Sequence, residues 1–339
     1  MTNLNFINII MSILFIELAL SCLVIFIGTQ LLINSSIALS NKLKIPKLIV
    51  GVIIVSFATS LPEFFVTCQA ALKGLSDFAI GNIIGSNISN LGLVLGVMAI
   101  ISPLTLSKTE LKWNYFPLIA FSIFFSIGIY TLYFFNSLYG LLSILFLFIF
   151  SVVIINKGDK LIENEEYSES DFLLILGFQL KIKYTILFIF SLILGSITLW
   201  LGTNLLIDSS KKIATIFGVS DRVIAISLVA IGTSLPELFA SIYSILKSEQ
   251  KMAIGNILGS NIFNILAVLG FTSLITDISI NKNLITDTLC MLGLTLLLIP
   301  LFYINRKKLN SIMSINRLGG VILFSFYIIY ITFLIFSNH

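Results

Sequence analysis

Two glutamates, Glu63 and Glu237, stand inside long apolar stretches. An ionisable side chain at that depth in a bilayer costs about 2.5 kcal/mol or more, so such residues usually line a site or a pathway. Thr59 and Ser60 precede Glu63 by four and three residues, as Thr233 and Ser234 precede Glu237. On a helix these oxygens share one face with the carboxylate. Pro62 and Pro236 each remove a backbone donor and disfavour helix in the preceding residue, so the turn upstream can open and free carbonyl oxygens. Irregular backbone at membrane depth is tolerated only where it is buried or lines a cavity. Each copy thus offers a carboxylate, two hydroxyls and carbonyls, hard oxygen ligands suited to Na⁺ or Ca²⁺. A proline kink with Ser and Thr bonded back to the helix would explain those residue types, but not the glutamates.

A second pair of segments carries Asn82, Ser86 and Asn90 at intervals of four, and likewise Asn256, Ser260 and Asn264. Each set is a polar stripe down an otherwise apolar helix. Gly81 and Gly85, with their counterparts Gly255 and Gly259, form small-xxx-small pairs that permit close helix approach. Alone, the stripe would serve equally as packing glue; duplicated beside the glutamates, it reads as a ligand set. Cys22, Cys68 and Cys290 fall in apolar stretches without ligand-like spacing and read as small core residues. The single histidine is His339, which argues against histidine metal sites and proton relays. No nucleophile–base pair or phosphate loop appears, so the chain does not read as an enzyme.

The elements that hold these residues must span a membrane. The chain is 58% hydrophobic and 11% charged, with mean hydropathy +1.08. A soluble domain carries roughly a quarter charged residues. Segments long enough to cross a bilayer fall near 7–36, 46–72, 78–104, 113–134, 138–156, 184–209, 219–246, 252–276, 284–304 and 318–337. The expected fold is therefore an all-α integral membrane protein of ten transmembrane helices. Residues 157–183 are the one substantial polar interruption, carrying Glu163, Glu165, Glu166, Glu169 and Asp171, and read as a solvated linker. No Lys or Arg precedes Lys42, so the first segment lacks a signal peptide's basic region and reads as a retained helix.

Shifting the sequence by 174 positions aligns 28–96 with 202–270 without a gap, and 29 of those 69 positions are identical. ATSLPEFF (58–65) meets GTSLPELF (232–239), and AIGNIIGSNISN (79–90) meets AIGNILGSNIFN (253–264). The expected organisation is an N-terminal five-helix repeat (1–156), a cytoplasmic linker (157–183) and a C-terminal five-helix repeat (184–339). Five is odd, so the copies enter the membrane with opposite polarity. Inverted repeats around a midplane site are a recurring plan of secondary transporters. With the N-terminus outside, the inner loops hold 15 of the Lys and Arg residues and the outer loops 5. This positive-inside bias predicts a multi-pass protein of the cell membrane with both termini extracytoplasmic. The net charge of +4 is spread over the loops and suggests no nucleic-acid partner.

The paired TSLPE and GNIxGSNIxN blocks resemble the alpha-repeats of the sodium/calcium exchangers, within the calcium:cation antiporter superfamily. The bacterial branch looks closest, because the central loop is too short for a calcium-binding β-domain. The resemblance implies that Glu63 and Glu237 are the central carboxylates shared by calcium and sodium. It implies flanking oxygens from Thr59, Ser60, Thr233 and Ser234, and backbone carbonyls from Ser56 and Ala230. Ser86 and Ser260 would help form sodium sites, while Asn90 and Asn264 complete the centre. Spans 1 and 6 would slide over a core of the other eight. The implied activity is exchange of Na⁺ for Ca²⁺ by alternating access, with these ions as substrates, no cofactor and no obligate protein partner. H⁺/Ca²⁺ or other divalent exchange is the alternative within transport, and a cation channel the alternative outside it. Two departures matter. Ala58 stands where the second copy has Gly232, which suggests a stiffer first break. Asn264 stands where potassium-dependent relatives, and some prokaryotic exchangers, carry an aspartate, which argues against potassium co-transport.

Overall fold

The computed structural model describes residues 2–157, 172–175, 178–181, 184–217, 230–304 and 312–337. The first half runs α1 (Thr2–Leu43), α2 (Lys47–Thr59), α3 (Leu61–Leu72), α4 (Ser76–Ile101), α5 (Lys108–Thr131) and α6 (Ser137–Asn156). The second runs α7 (Thr185–Ile216), α8 (Ala230–Thr233), α9 (Leu235–Leu246), α10 (Gln250–Ile275), α11 (Ile285–Ile304) and α12 (Arg317–Ser337). Eight of these are long and apolar enough to cross a bilayer, and α2 with α3 forms a ninth span bent by 44°. The expected span 219–246 is described only from Ala230, as α8 and α9.

Side chains are distributed as a bilayer requires. Large apolar residues such as Phe148, Ile186 and Phe190 face outward, where lipid tails solvate them. Both glutamates and a set of serines, threonines and asparagines lie inside. Helices suit that solvent because they satisfy their own backbone groups.

Glycines set the closest helix contacts. A Cβ on Gly28 would lie 2.5 Å from the Leu199 nitrogen, one on Gly195 2.6 Å from that of Leu32, and one on Gly202 2.8 Å from that of Ile25. As α1 advances α7 recedes, so these two helices cross antiparallel. The same device seats α10 on α2. A Cβ on Gly255 would meet the Leu48 carbonyl at 2.4 Å, and one on Gly259 the Val52 carbonyl at 2.4 Å. Gly255 and Gly259 therefore make the expected close approach. At Gly81 and Gly85 no described residue would lie within 4 Å of a Cβ, and the counterparts of Leu48 and Val52, at 222 and 226, fall outside the described residues.

Short antiparallel ribbons join loops of opposite halves. Strand β1 (Leu104–Ser107) pairs with Ile312–Ile315, and β2 (Phe134–Phe135) with Ile278–Ser279. A shift of 174 carries Leu104 onto Ile278, so one strand of each ribbon holds a corresponding place in the two repeats. Within the expected linker, Phe172–Ile175 and Phe178–Lys181 pair as a hairpin that the polar composition of the segment does not announce. The acidic run 163–171 lies outside the described residues. One end of the bundle carries two ion pairs, Lys47–Glu249 at 2.7 Å and Lys251–Glu110 at 2.9 Å. Glu110 also closes a capping box with Ser107 at the start of α5.

Candidate cation site

The site is built on two matching helix breaks. Between α2 and α3, Ser60 has φ −83° and ψ 5°; between α8 and α9, Ser234 has φ −88° and ψ 3°. Each break precedes a Leu-Pro-Glu sequence, with the proline in the first turn of the following helix. That position tolerates proline because its missing N–H would have no partner. The Ala58/Gly232 difference leaves the backbone at the two breaks alike. Gly232 has a packing reason: a Cβ there would lie 2.6 Å from Ile207 Cδ1. The glutamates open the new helices, and both are fully buried.

Each glutamate helix is held to its own partner helix by an asparagine. Asn82 Nδ2 donates to Thr67 Oγ1 at 3.0 Å, and Asn256 Nδ2 donates to Ser241 Oγ at 3.0 Å. Asn82 also donates to the Glu63 carbonyl at 3.4 Å. These two amides therefore brace the scaffold, with Thr67 and Ser241 as anchors that motif spacing alone did not single out. The remaining contacts cross between the copies. Thr59 Oγ1 lies 3.1 Å from Asn256 Oδ1 and 3.3 Å from Ser260 Oγ. In the counterpart position Ser86 Oγ lies 3.3 Å from Thr233 Oγ1. Ser60 donates to Glu237 Oε1 at 3.2 Å. Residues 174 positions apart in sequence thus converge on one centre.

The unpartnered atoms at that centre are mainly acceptors. Both carboxylate oxygens of Glu63, Oε2 of Glu237, Oδ1 of Asn90 and Asn264, and the Ser234 hydroxyl are buried without a protein hydrogen bond among the described residues. A buried carboxylate without donors is costly unless a cation compensates it. The set is all oxygen and includes only two carboxylates; among the described residues no cluster of three or more Asp, Glu, His or Cys forms. Such a set suits Na⁺ or Ca²⁺ and not a soft metal. Asn90 and Asn264 each begin a π-helical turn, Asn90–Val94 and Asn264–Val268. Turns of this kind recur at functional sites because they displace a side chain from the regular helical face. No proline or glycine pattern marks both turns in the sequence. Asn87 is a further participant outside the stripe, accepting from Asn264 Nδ2 at 3.3 Å.

The Ser56 carbonyl accepts the Ser60 N–H at 3.0 Å and lies 3.3 Å from Thr59 Oγ1. The carbonyl that loses its helical donor to Pro62 is that of Ala58, four residues back. At Ala230 only the backbone is described, at the start of α8. Asp287, in the first turn of α11, accepts from the Tyr330 hydroxyl at 3.3 Å. Glu17 accepts from Ser209 at 3.2 Å and lies 3.7 Å from Lys212, both on α7 and apart from the centre.

Comparison with known proteins agrees with this geometry. The family profile described as sodium/calcium exchanger protein matches residues 13–157 and 187–336. The inner membrane protein YrbG of Escherichia coli is 33% identical, over 75% of this chain and 77% of its own. The sodium/calcium exchanger MaX1 of Methanosarcina acetivorans is 26% identical, over 95% of this chain and 98% of its own. Among solved structures, the sodium-calcium exchanger NCX_Mj soaked with Na⁺ and Ca²⁺ superposes with a TM-score of 0.77 at 28% identity, covering 94% of this chain and 98% of that one.

Proposed function

This chain belongs to the sodium/calcium exchanger family, and from that premise we propose that it exchanges Na⁺ for Ca²⁺ at one centre shared by its two repeats. The observation that carries the proposal is the buried oxygen set, with three carboxylate oxygens lacking any protein hydrogen bond among the described residues. Glu63 and Glu237 balance one divalent ion or share their charge among monovalent ones. Thr59, Ser60, Thr233 and Ser234 flank them, Ser86 and Ser260 extend the set, and Asn90 and Asn264 supply neutral oxygens. Where Ca²⁺ and Na⁺ need the same oxygens they cannot bind together, and counter-transport follows from competition. Turning the site while it holds two uncompensated buried charges is costly, which suppresses futile reorientation of the empty carrier.

The repeats are 1–156 and 184–339, joined by a cytoplasmic linker over 157–183, with both termini outside the cell membrane. The 15-to-5 split of basic residues supports that orientation. The deciding experiment is radiocalcium uptake into proteoliposomes under imposed Na⁺, K⁺ and H⁺ gradients. Uptake driven by an outward Na⁺ gradient is the expected result. Uptake driven by a proton gradient alone would instead make the chain a proton-coupled exchanger, and unitary conductance in planar bilayers would make it a channel.

A further inference from the structure

The two repeats agree closely at the centre and differ along the half-pathways leading away from it. In α1, Asn34 is only 9% exposed and its Nδ2 donates to the Tyr243 hydroxyl of α9 at 3.2 Å. Phe26 meets the Tyr243 ring edge-on at 6.4 Å, and Lys247 Nζ sits 5.5 Å from its centroid. Asn34, Phe26, Tyr243 and Lys247 thus close one half-pathway between α1 and α9.

The shift of 174 maps Asn34 to Asp208, Tyr243 to Gln69 and Lys247 to Lys73. On that side Trp200, the counterpart of Phe26, meets the Phe65 ring of α3 at 5.7 Å, but no hydrogen bond equivalent to Asn34–Tyr243 forms among the described residues. Asp208, Gln69 and Lys73 are all exposed, and Asp208 has no partner among the described residues. Its neighbour Lys212 lies near Glu17, and Lys211 is exposed. The wall residue Gln30 is 7% exposed, while its counterpart Asn204 is half-buried. Asn34 and Asp208 lie toward opposite ends of the antiparallel α1–α7 pair, so the bonded and the unbonded position of the repeat stand at opposite ends of the bundle.

The pair also differs chemically. Closing the Asn34 side buries a neutral amide that keeps a hydrogen bond. Closing the Asp208 side in the same way would take a carboxylate out of water against the amide of Gln69, with Lys73 a turn beyond it where Lys247 stands on the closed side. An amide's N–H groups compensate a buried carboxylate less fully than water does. We propose that Asn34 and Asp208 are positioning residues that set the facing of the exchanger: Asn34 seals the inner half-pathway onto Tyr243, and Asp208 holds the outer half-pathway open. The assignment of faces rests on the orientation and site proposed above.

The test uses single-cysteine reporters at Gln30→Cys and Asn204→Cys in a protein lacking Cys22, Cys68 and Cys290. An impermeant thiol reagent is applied separately to right-side-out and inside-out vesicles. The expected result is fast labelling at position 204 from outside and slow labelling at 30 from inside. Asp208→Asn should lower the ratio of the two rates by about tenfold, Asp208→Glu should preserve it, and Asn34→Asp should raise labelling at 30. A merely structural role for Asp208 would not move the two rates in opposite directions. Unchanged ratios in both Asp208→Asn and Asn34→Asp would overturn the proposal. If the fast site labels from inside while Asp208→Asn still lowers the ratio, the orientation is wrong and the role of the pair stands.

Discussion

Ser60 donates to Oε1 of Glu237 at 3.2 Å, whereas the hydroxyl of its counterpart Ser234 has no hydrogen-bond partner among the described residues. The helix break of one repeat therefore braces the carboxylate of the other, in one direction only. A hydrogen bond to a charged acceptor contributes about 1.5–3 kcal/mol. Ser60→Ala should lower the ion-free melting temperature, while Ser234→Ala should leave it within error. Both should weaken calcium protection against thermal unfolding. Equal ion-free melting temperatures for the two variants would contradict the one-sided brace.

Glu63→Gln and Glu237→Gln should each reduce sodium-driven calcium flux by roughly 100-fold or more, since one-sided loss in a buried ion pair costs about 3–5 kcal/mol. Folding should survive, because the amide keeps the shape and removes an uncompensated charge. Size-exclusion profiles and radiocalcium flux are the two measurements required. A well-folded single variant with near-native flux would sink the two-carboxylate site.

Gly259→Ala should destabilise the protein, because a Cβ there would meet the Val52 carbonyl at 2.4 Å. Overpacking of this kind costs about 1–3 kcal/mol. Detergent-solubilised melting curves are the check, with Gly259→Ala expected to melt well below the native protein; an unchanged melting temperature would show that α10 does not seat on α2 this closely.

Transport should not require potassium. A site holding Ca²⁺ together with K⁺ must neutralise three charges, and the glutamates supply two; Asn90 and Asn264 supply neutral oxygens. The excess charge would cost several kcal/mol in a low-dielectric setting. Sodium-driven flux at fixed membrane potential should be the same with and without K⁺. Asn264→Asp should tighten divalent binding or introduce potassium sensitivity. A strict K⁺ requirement in the native protein would defeat this reading.

A cysteine introduced by Glu165→Cys, in a background without the native cysteines, should resist impermeant reagents added to intact cells and react in inverted vesicles. Labelling from outside would reverse the proposed topology.

The glutamates, their Thr-Ser partners and the internal repeat are legible in the sequence because they use local spacing and identity at a fixed shift. Asn82 and Asn256 are legible as polar, but their bracing role depends on Thr67 and Ser241, 15 residues away. The π turns at Asn90 and Asn264 follow a repeated block that reads as regular helix, since a widened turn is selected by what packs around it. That the Ser56 carbonyl keeps the Ser60 N–H is not legible from Pro62 alone, because the break falls at Ser60 and the helix before it runs on. The difference between Asn34 and Asp208 is visible as one changed letter in a repeat, but its meaning depends on Tyr243 packing against one and nothing described packing against the other.

The cross-wiring of the copies, Thr59 to Asn256 and Ser260, and Ser86 to Thr233, has a consequence during synthesis. The ribosome delivers Glu63 to the membrane long before Glu237 exists, so the nascent first half must hold an unmatched acid in lipid. Its affinity for the second half is then also what relieves that burden, and assembly of the protomer is coupled to completion of the site. Two fragments divided within 157–183 would be unstable singly and should rescue one another when co-produced.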